Sequence, residues 1–561
     1  MKKYLLLTIA LFCITFVFSQ VNSGQPQRGE AKPVDILWAD KLRTEKVDSV
    51  GEVQIGVGNV RAMQGNTLFE CDSFYYDKST KVFEAFGNVH INDNDSVNIY
   101  SRYLLYHVDT RIANLKNQVR LTDGKSELTT QQLDYDLNQK IGNYYNGGKV
   151  VNEKSVLTSS EATYYAERKD VYFKKNVVLV DPQYKLKADS LLYNSASQIT
   201  TFITKTFIED SARNIVTSSG FYDLKNKKAS FGKRPIINDG SSQVIADNID
   251  TNDSTGLSIL TGNVDYKDTA QGYAMRADFM NVNNKLGTVL ATKRPLLIIK
   301  QEKDSLFVTG DTLFSAKLSY LDSLNALNVP DSVLAKDSAR NIRGVAVVDA
   351  KTGNDSADRY FQAFRNVRIF SDSLQAVADS LFYSGKDSIF RLFRDPIMWA
   401  SNSQVSGDTI YIYTKNKKAE RVYVFENSIA INKSDENMFN QLKGTTLNGY
   451  FKDGVMDYMR AKGTAESVYY ARDKDDLLVG INRVSGDIID MRFKDKELNR
   501  VVVMNEVKGT MYPVSQIPEE QKTLRNFKWQ EDLRPKTKFE LLEPPKTAPP
   551  AASTETTRRD F

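Results

Sequence analysis

The side chains whose type and repetition could do chemistry are carboxylates. Aspartate recurs at one position of a repeated phrase, as Asp72, Asp189, Asp247, Asp278, Asp311, Asp379, Asp408 and Asp487. Carboxylates paired between copies could act as acid and base on a glycosidic bond, or hold calcium. An aspartate that returns at the same structural position in every copy is more simply a corner residue that bonds backbone N–H groups, and this is the favoured reading. Asp93, Asn94 and Asp95 resemble the start of a calcium loop, yet no glycine and no distal glutamate follow at the required spacing. The two histidines, His90 and His107, share no metal-ligand spacing and read as solvated residues on outward strand positions. Nucleophile elbow, phosphate-binding loop and Cys-x-x-Cys are all missing. The chemistry expected is therefore binding: no enzyme, no metal and no cofactor.

The aspartates belong to a phrase that recurs as Cys71-Asp72-Ser73-Phe74-Tyr75-Tyr76, Ala188-Asp189-Ser190-Leu191-Leu192-Tyr193 and Ala378-Asp379-Ser380-Leu381-Phe382-Tyr383, with looser copies at Gly310 to Phe314 and Gly407 to Tyr411. A second phrase alternates with it: Gly87-Asn88-Val89-His90-Ile91, Asn117-Gln118-Val119-Arg120-Leu121, Lys175-Asn176-Val177, Gly262-Asn263-Val264 and Arg365-Asn366-Val367. The aromatic end of the first phrase serves as a ruler. It falls at Tyr76, Tyr106, Tyr135, Tyr165, Tyr193 and Tyr222, and weaker copies at Thr251, Val282 and Ser315 extend it. A period of about 29 residues marks a solenoid or stacked array.

Within each period apolar residues alternate at period two, as in Phe83, Ala85, Gly87, Val89 and Ile91, or Tyr423, Phe425, Ile429 and Ile431. That alternation specifies strands with one apolar face, and charged residues such as Glu84, His90 and Arg120 put the other face in water. Turn residues such as Asp77-Lys78-Ser79 and Asn283-Asn284-Lys285 separate the strands. Each period thus holds two long strands, or four if each bends. Pro235, Pro295 and Pro396 precede the apolar anchor of the second phrase and mark a bend, since proline offers no ladder N–H. The fold expected is all-β, an elongated solenoid-like β-jellyroll of stacked antiparallel strands.

Lys2 and Lys3, the apolar run from Tyr4 to Phe18, and Ser19-Gln20 form a signal peptide over residues 1–20. A lead-in at 21–49 precedes a first repeat block at 50–316. An insertion at 317–361, helix-like from Lys317 to Asn328, separates it from a second block at 362–511. Residues 512–561 are a C-terminal extension ending in a Pro-rich disordered tail. After removal of the signal, Cys71 has no partner for a disulfide, and the net charge falls to about 5 − 2 = +3, too small to favour nucleic acid.

One-sided strands must close their apolar face against a second sheet or a ligand, so an apolar strip should run along the stack and suit acyl chains. The groove candidates are Phe83, Val89, Leu115, Val119, Phe173, Val177, Leu260, Val264, Tyr423 and Ile429. Small residues among them, Ala85, Gly87, Ala113 and Gly262, should leave the space. The Asn-Val and Ala-Asp-Ser-Leu-x-Tyr phrases resemble the OstA-like (LptA-like) repeats of the periplasmic lipopolysaccharide-transport bridge, over roughly Val50 to Met511. That resemblance implies a "β-taco" with lipid between its sheets, carriage of lipopolysaccharide or a related lipid toward the outer membrane, and edge-to-edge pairing with other transport components or copies of itself. It also implies a periplasmic location, peripheral to the outer membrane. The chain departs from the family in being several times longer than a single bridging subunit and in lacking the outer-membrane member's long C-terminal barrel. Two other readings share the same repeats: an exported polysaccharide-active β-solenoid enzyme, and a structural envelope or adhesion array.

Overall fold

The computed structural model describes residues 32–47, 51–94, 97–270, 272–300, 305–327, 359–415, 418–452, 455–473, 475, 477–494, 497–513 and 515–544. The expected signal peptide, most of the expected insertion and most of the expected Pro-rich tail lie outside them. Among the described residues the chain is strand almost throughout, with one α-helix, Leu318–Leu327, where the insertion was expected to begin helically. The strand Arg359–Phe370 pairs with Thr312–Lys317, so the repeat resumes at Arg359, inside the span assigned to the insertion.

The described residues form two compact units, one up to 150 together with 161–167, the other 151–160 together with those from 168 onward. In the first, the strands Gly51–Gln64, Thr67–Asp77, Val82–Asp93, Val97–His107, Ile112–Thr122 and Ser126–Asp136 pair antiparallel in chain order. Each ladder slips register at its middle, for example between Phe86 and Val89. There the chain passes through two successive left-handed residues, Gly87 (φ 68°) and Asn88 (φ 32°). Positive φ at two consecutive positions turns the backbone sharply, and glycine and asparagine take it at least cost. Each strand therefore serves two walls. The segment beside the Asp77-type turns forms wall A, and the segment beyond the bend forms wall B. Phe83 and Ala85 point inward from A, Val89 and Ile91 from B, and Phe69 meets Tyr106 across the gap at 4.8 Å. Burying each such large side chain stabilises the pair of walls by roughly 1.5–3 kcal/mol, which no single strand can gain alone.

The second unit repeats the scheme with many strands split in two at the bend, such as Ile199–Phe202 and Thr206–Asp210. Its left-handed pairs fall at Lys175/Asn176, Lys233/Arg234, Gly262/Asn263, Lys293/Arg294, Arg365/Asn366, Arg394/Asp395, Glu426/Asn427, Gly463/Thr464 and Asn505/Glu506. Pro235, Pro295 and Pro396 each lie at such a bend, where the ladder asks for no N–H.

The repeated aspartates brace these bends. The Asp72 carboxylate accepts from the Asn88 amide at 3.0 Å, Asp247 from Asn263 at 2.8 Å, Asp311 from Asn366 at 3.0 Å and Asp408 from Asn427 at 3.1 Å. Asp278 and Asp379 hold Arg294 and Arg394 in the same way. The expected corner role stands with different bonds, since the carboxylates take side-chain donors while their own N–H groups donate to bend carbonyls, as Asp247 does to Gly262 at 2.8 Å. Gly87 and Gly262 are consequently bend residues and not the inward space-makers expected. A Cβ on Gly262 would lie 2.4 Å from the Asp247 carboxylate.

Two further expectations are corrected. The ruler residue of the fourth copy is Tyr164, which pairs inward with Gly142, whereas Tyr165 pairs with Ile141 on the other face. His90 is half-buried, stacked on Tyr100 at 4.5 Å and bonded to Glu70 and Asn98, so it belongs to an outer-face ladder and is not freely solvated.

Candidate functional site

Eight of the groove candidates point inward: Phe83, Val89, Leu115, Val119, Phe173, Val177, Leu260 and Val264. All are 2% exposed or less. All but Phe83, which lies beside the turn that opens its strand, sit within two residues of a bend, and protein side chains fill the interior around them. Tyr423 and Ile429 do not join them. The inward residues of that strand on wall A are Val422 and Val424, which oppose Ile412 and Ile410. Tyr423 faces out beneath the Arg421 guanidinium, 5.1 Å from its ring. On wall B the inward ladder runs Ala376, Met398, Val405, Ala430, which turns Ile429 to the outer side. Both alternating sets in this strand are apolar, so period two could not choose between them.

The free edges of the walls, opposite the bends, are clasped in places. In the first unit the Gln64 amide reaches from wall B to the Val108 carbonyl of wall A at 3.1 Å, the Tyr106 hydroxyl donates to Gln64, and Arg111 donates to Thr67 at 2.9 Å. In the second unit Asn152 donates to the Tyr193 hydroxyl and the Ser195 carbonyl, both at 3.0 Å.

Beyond that clasp the walls part. A cleft of about 390 Å³ opens between them, lined on wall B by Tyr184, Ile208, Ile215 and Ile237, and on wall A by Phe202, Tyr222, Ala229, Phe231 and Thr251. Its volume lies in the range of about 300–1,000 Å³ that small-molecule sites occupy. Gly220 shapes one side. Paired with Phe202 on one neighbour and Phe231 on the other, it carries no side chain between them, and their rings stack at 6.0 Å. Tyr184 meets Tyr222 edge-on across the gap at 5.1 Å. Burial pushes the Tyr222 hydroxyl up to about 12 and raises Tyr184 further, so both rings stay neutral walls of the cleft. The rim is polar: Arg213 pairs with Asp210 at 2.8 Å and with Asp253 across the opening at 3.6 Å, and Asp239 lies beside them.

None of the ten sequence candidates lines this cleft. A signal was present in the ruler, which loses its ring at Thr251. In the first unit Tyr106 and Tyr135 flank the small Ala113 and fill the interior; here Tyr222 is followed by Ala229 and then Thr251, and the volume of the absent ring remains open.

Among the described residues no cluster of three metal-binding side chains occurs. The aspartates that might have served an enzyme are spread along the bends, and six of the eight, Asp72, Asp247, Asp278, Asp311, Asp379 and Asp408, are tied to asparagine or arginine.

The architecture defines a class: stacked antiparallel rungs, each bent into two walls around one apolar interior. Residues 31–189 match the OstA-like protein family. Among solved structures it is similar to LptH of Pseudomonas aeruginosa, described as the LptA-homologous periplasmic component of the conserved lipopolysaccharide transport device, with 17% identity over 27% of this chain and 94% of that one, at a TM-score of 0.14. No curated protein matches the chain.

Proposed function

We propose that this protein carries or shelters an amphipathic lipid, lipopolysaccharide or a relative, in transit through the periplasm toward the outer membrane. The cleft between Tyr184 and Thr251 is the observation that carries this reading. It is a slot between two sheets in which apolar side chains, Ile208, Ile215, Ile237, Phe202 and Phe231, share the lining with polar and charged ones such as Gln183, Asp210, Arg213 and Asp253, a pairing that suits hydrocarbon with a polar end. The match of residues 31–189 to OstA-like proteins supports the same reading. Sheet edges suit it too, because Leu37, Trp38 and Leu42 are more than half exposed on the strands Asp35–Trp38 and Lys41–Val47, which flank Gly51–Gln64 and offer an edge to a neighbouring transport component.

The test is mass spectrometry of lipids that co-purify with the protein, combined with substitution in the cleft. Ile237→Asp and Phe231→Asp should each abolish lipid recovery, while Arg120→Ala on an outer face leaves it unchanged. Equal recovery from all three would defeat the assignment.

A further inference from the structure

The second unit contains a segment that the repeat does not explain. Residues 515–544 form no strand, only three single-turn 3₁₀ helices, yet they lie along the outer face of wall B. This corrects the expectation that one face of every strand meets water. The outer face beneath is an apolar ladder, Phe307, Phe370, Trp399, Ile431, Val468 and Ile481, on strands that follow one another through the stack. Ile517 and Leu524 bury their side chains against it, with Phe527 and Trp529 packed beside them.

Polar stitches fix the segment at regular intervals. Gln441 donates to the Lys522 carbonyl at 2.9 Å and accepts from the Leu524 N–H at 2.7 Å. Gln404 repeats the pattern, donating to Lys528 at 2.7 Å and accepting from Gln530 at 2.8 Å. Each buried amide thus reads the main chain of residues i and i+2, as a neighbouring strand would. Arg483 at one end donates to the Gln521 carbonyl, and Arg368 at the other takes the carbonyls of Glu540, Leu541 and Glu543. The hold is discrete, for a cavity of about 390 Å³ remains between the segment and the wall near Arg368, Arg394, Gln530 and Arg534.

Within the second unit the cleft lies outside the strapped section. Under the strap the inward residues Ala376, Leu381, Leu392 and Met398 are at most 4% exposed. At the cleft wall B carries no strap, and Phe207 on its outer face is 50% exposed. To admit a guest the walls must part, and under the strap wall B cannot flex strand by strand without breaking stitches that join strands from Arg368 to Arg483.

We propose that residues 515–544 are a releasable latch that keeps the interior of the second block closed and confines a lipid guest to the cleft until the strap lifts. This rests on the lipid reading above. A segment held by side-chain stitches and apolar contacts, with no backbone ladder of its own, opens at lower cost than the ladders beneath it, which is what a latch needs.

The experiment uses the full chain with a photo-crosslinking amino acid at Ile237 in the cleft or, separately, at Met398 inside the strapped section, and alkyne-tagged myristic acid as probe. The intact strap should give capture at Ile237 and background at Met398. Gln404→Ala with Gln441→Ala, and independently Leu524→Asp, should raise capture at Met398 to the level of Ile237. Strap release in each variant is read from a red shift of Trp399 and Trp529 fluorescence with the β-sheet circular dichroism unchanged. Met398 capture equal to Ile237 in the intact chain overturns the latch, as does background capture at Met398 once the red shift shows the strap released. Absence of capture at Ile237 in every chain overturns the lipid reading and the latch with it.

Discussion

Cys71 points inward from the strand Thr67–Asp77, and burial pushes its thiol up to about 12. A thiol so protonated and enclosed is inert, so maleimide at pH 8 should leave the native protein unlabelled and modify it fully in denaturant. Leu115, wholly buried between the walls, should cost about 2–5 kcal/mol when cut to alanine, whereas Arg120→Ala, which removes a half-exposed pair with Glu127, should shift the urea midpoint little. The hydrogen bond from His90, aided by the Arg61 guanidinium, holds the Glu70 carboxyl below the usual carboxylate range despite partial burial. A depressed carboxyl contributes stability above its unfolded pKa and loses it as pH falls through the folded value. Wild type should therefore be more stable than Glu70→Gln at pH 7, and the gap should close as the pH falls below about 4.3, the ordinary glutamate value, in urea titrations across pH.

At the scale of the element, the bend decides whether a rung has one wall or two. Two left-handed residues in succession require glycine or asparagine, or else strain, and Gly262 has the further constraint of the Asp247 carboxylate beside it. Gly262→Ala should lower stability by more than Gly124→Ala, because both residues have positive φ but nothing lies within 4 Å of a Cβ at Gly124. Thermal unfolding of the two variants makes the comparison directly. The phrase Gly-Asn-Val was legible in the sequence as a repeating unit, and its prolines identified a bend. That its glycine makes the bend, and so leaves no groove space, depended on φ, which residue type alone does not give.

At the scale of the molecule, each rung is held by its neighbours, and interface terms between adjacent rungs carry the stability of each unit. Unfolding in urea should therefore proceed in more than one step, with Leu524→Asp displacing only the phase that reports on Trp399 and Trp529. A single sharp transition that moves as a whole in this variant would contradict that picture. The strap could not be read from its own sequence, because Ile517, Leu524, Phe527 and Trp529 follow no strand or helix period.

Strand content, the 29-residue period, the turn sites and the likeness to OstA-like repeats were all determined by local pattern, because alternation and turn chemistry act between residues close in the chain. Eight of ten inward residues followed from the same rule. Tyr423 and Ile429 did not, since both faces of that strand are apolar and only its pairing partners select the inner one. The strap was decided by tertiary structure alone, because a covered face depends on a segment more than thirty residues further along the chain. For the cleft the sequence shows only the ring lost at Thr251, and tertiary structure decided that the space it leaves stays open between the walls.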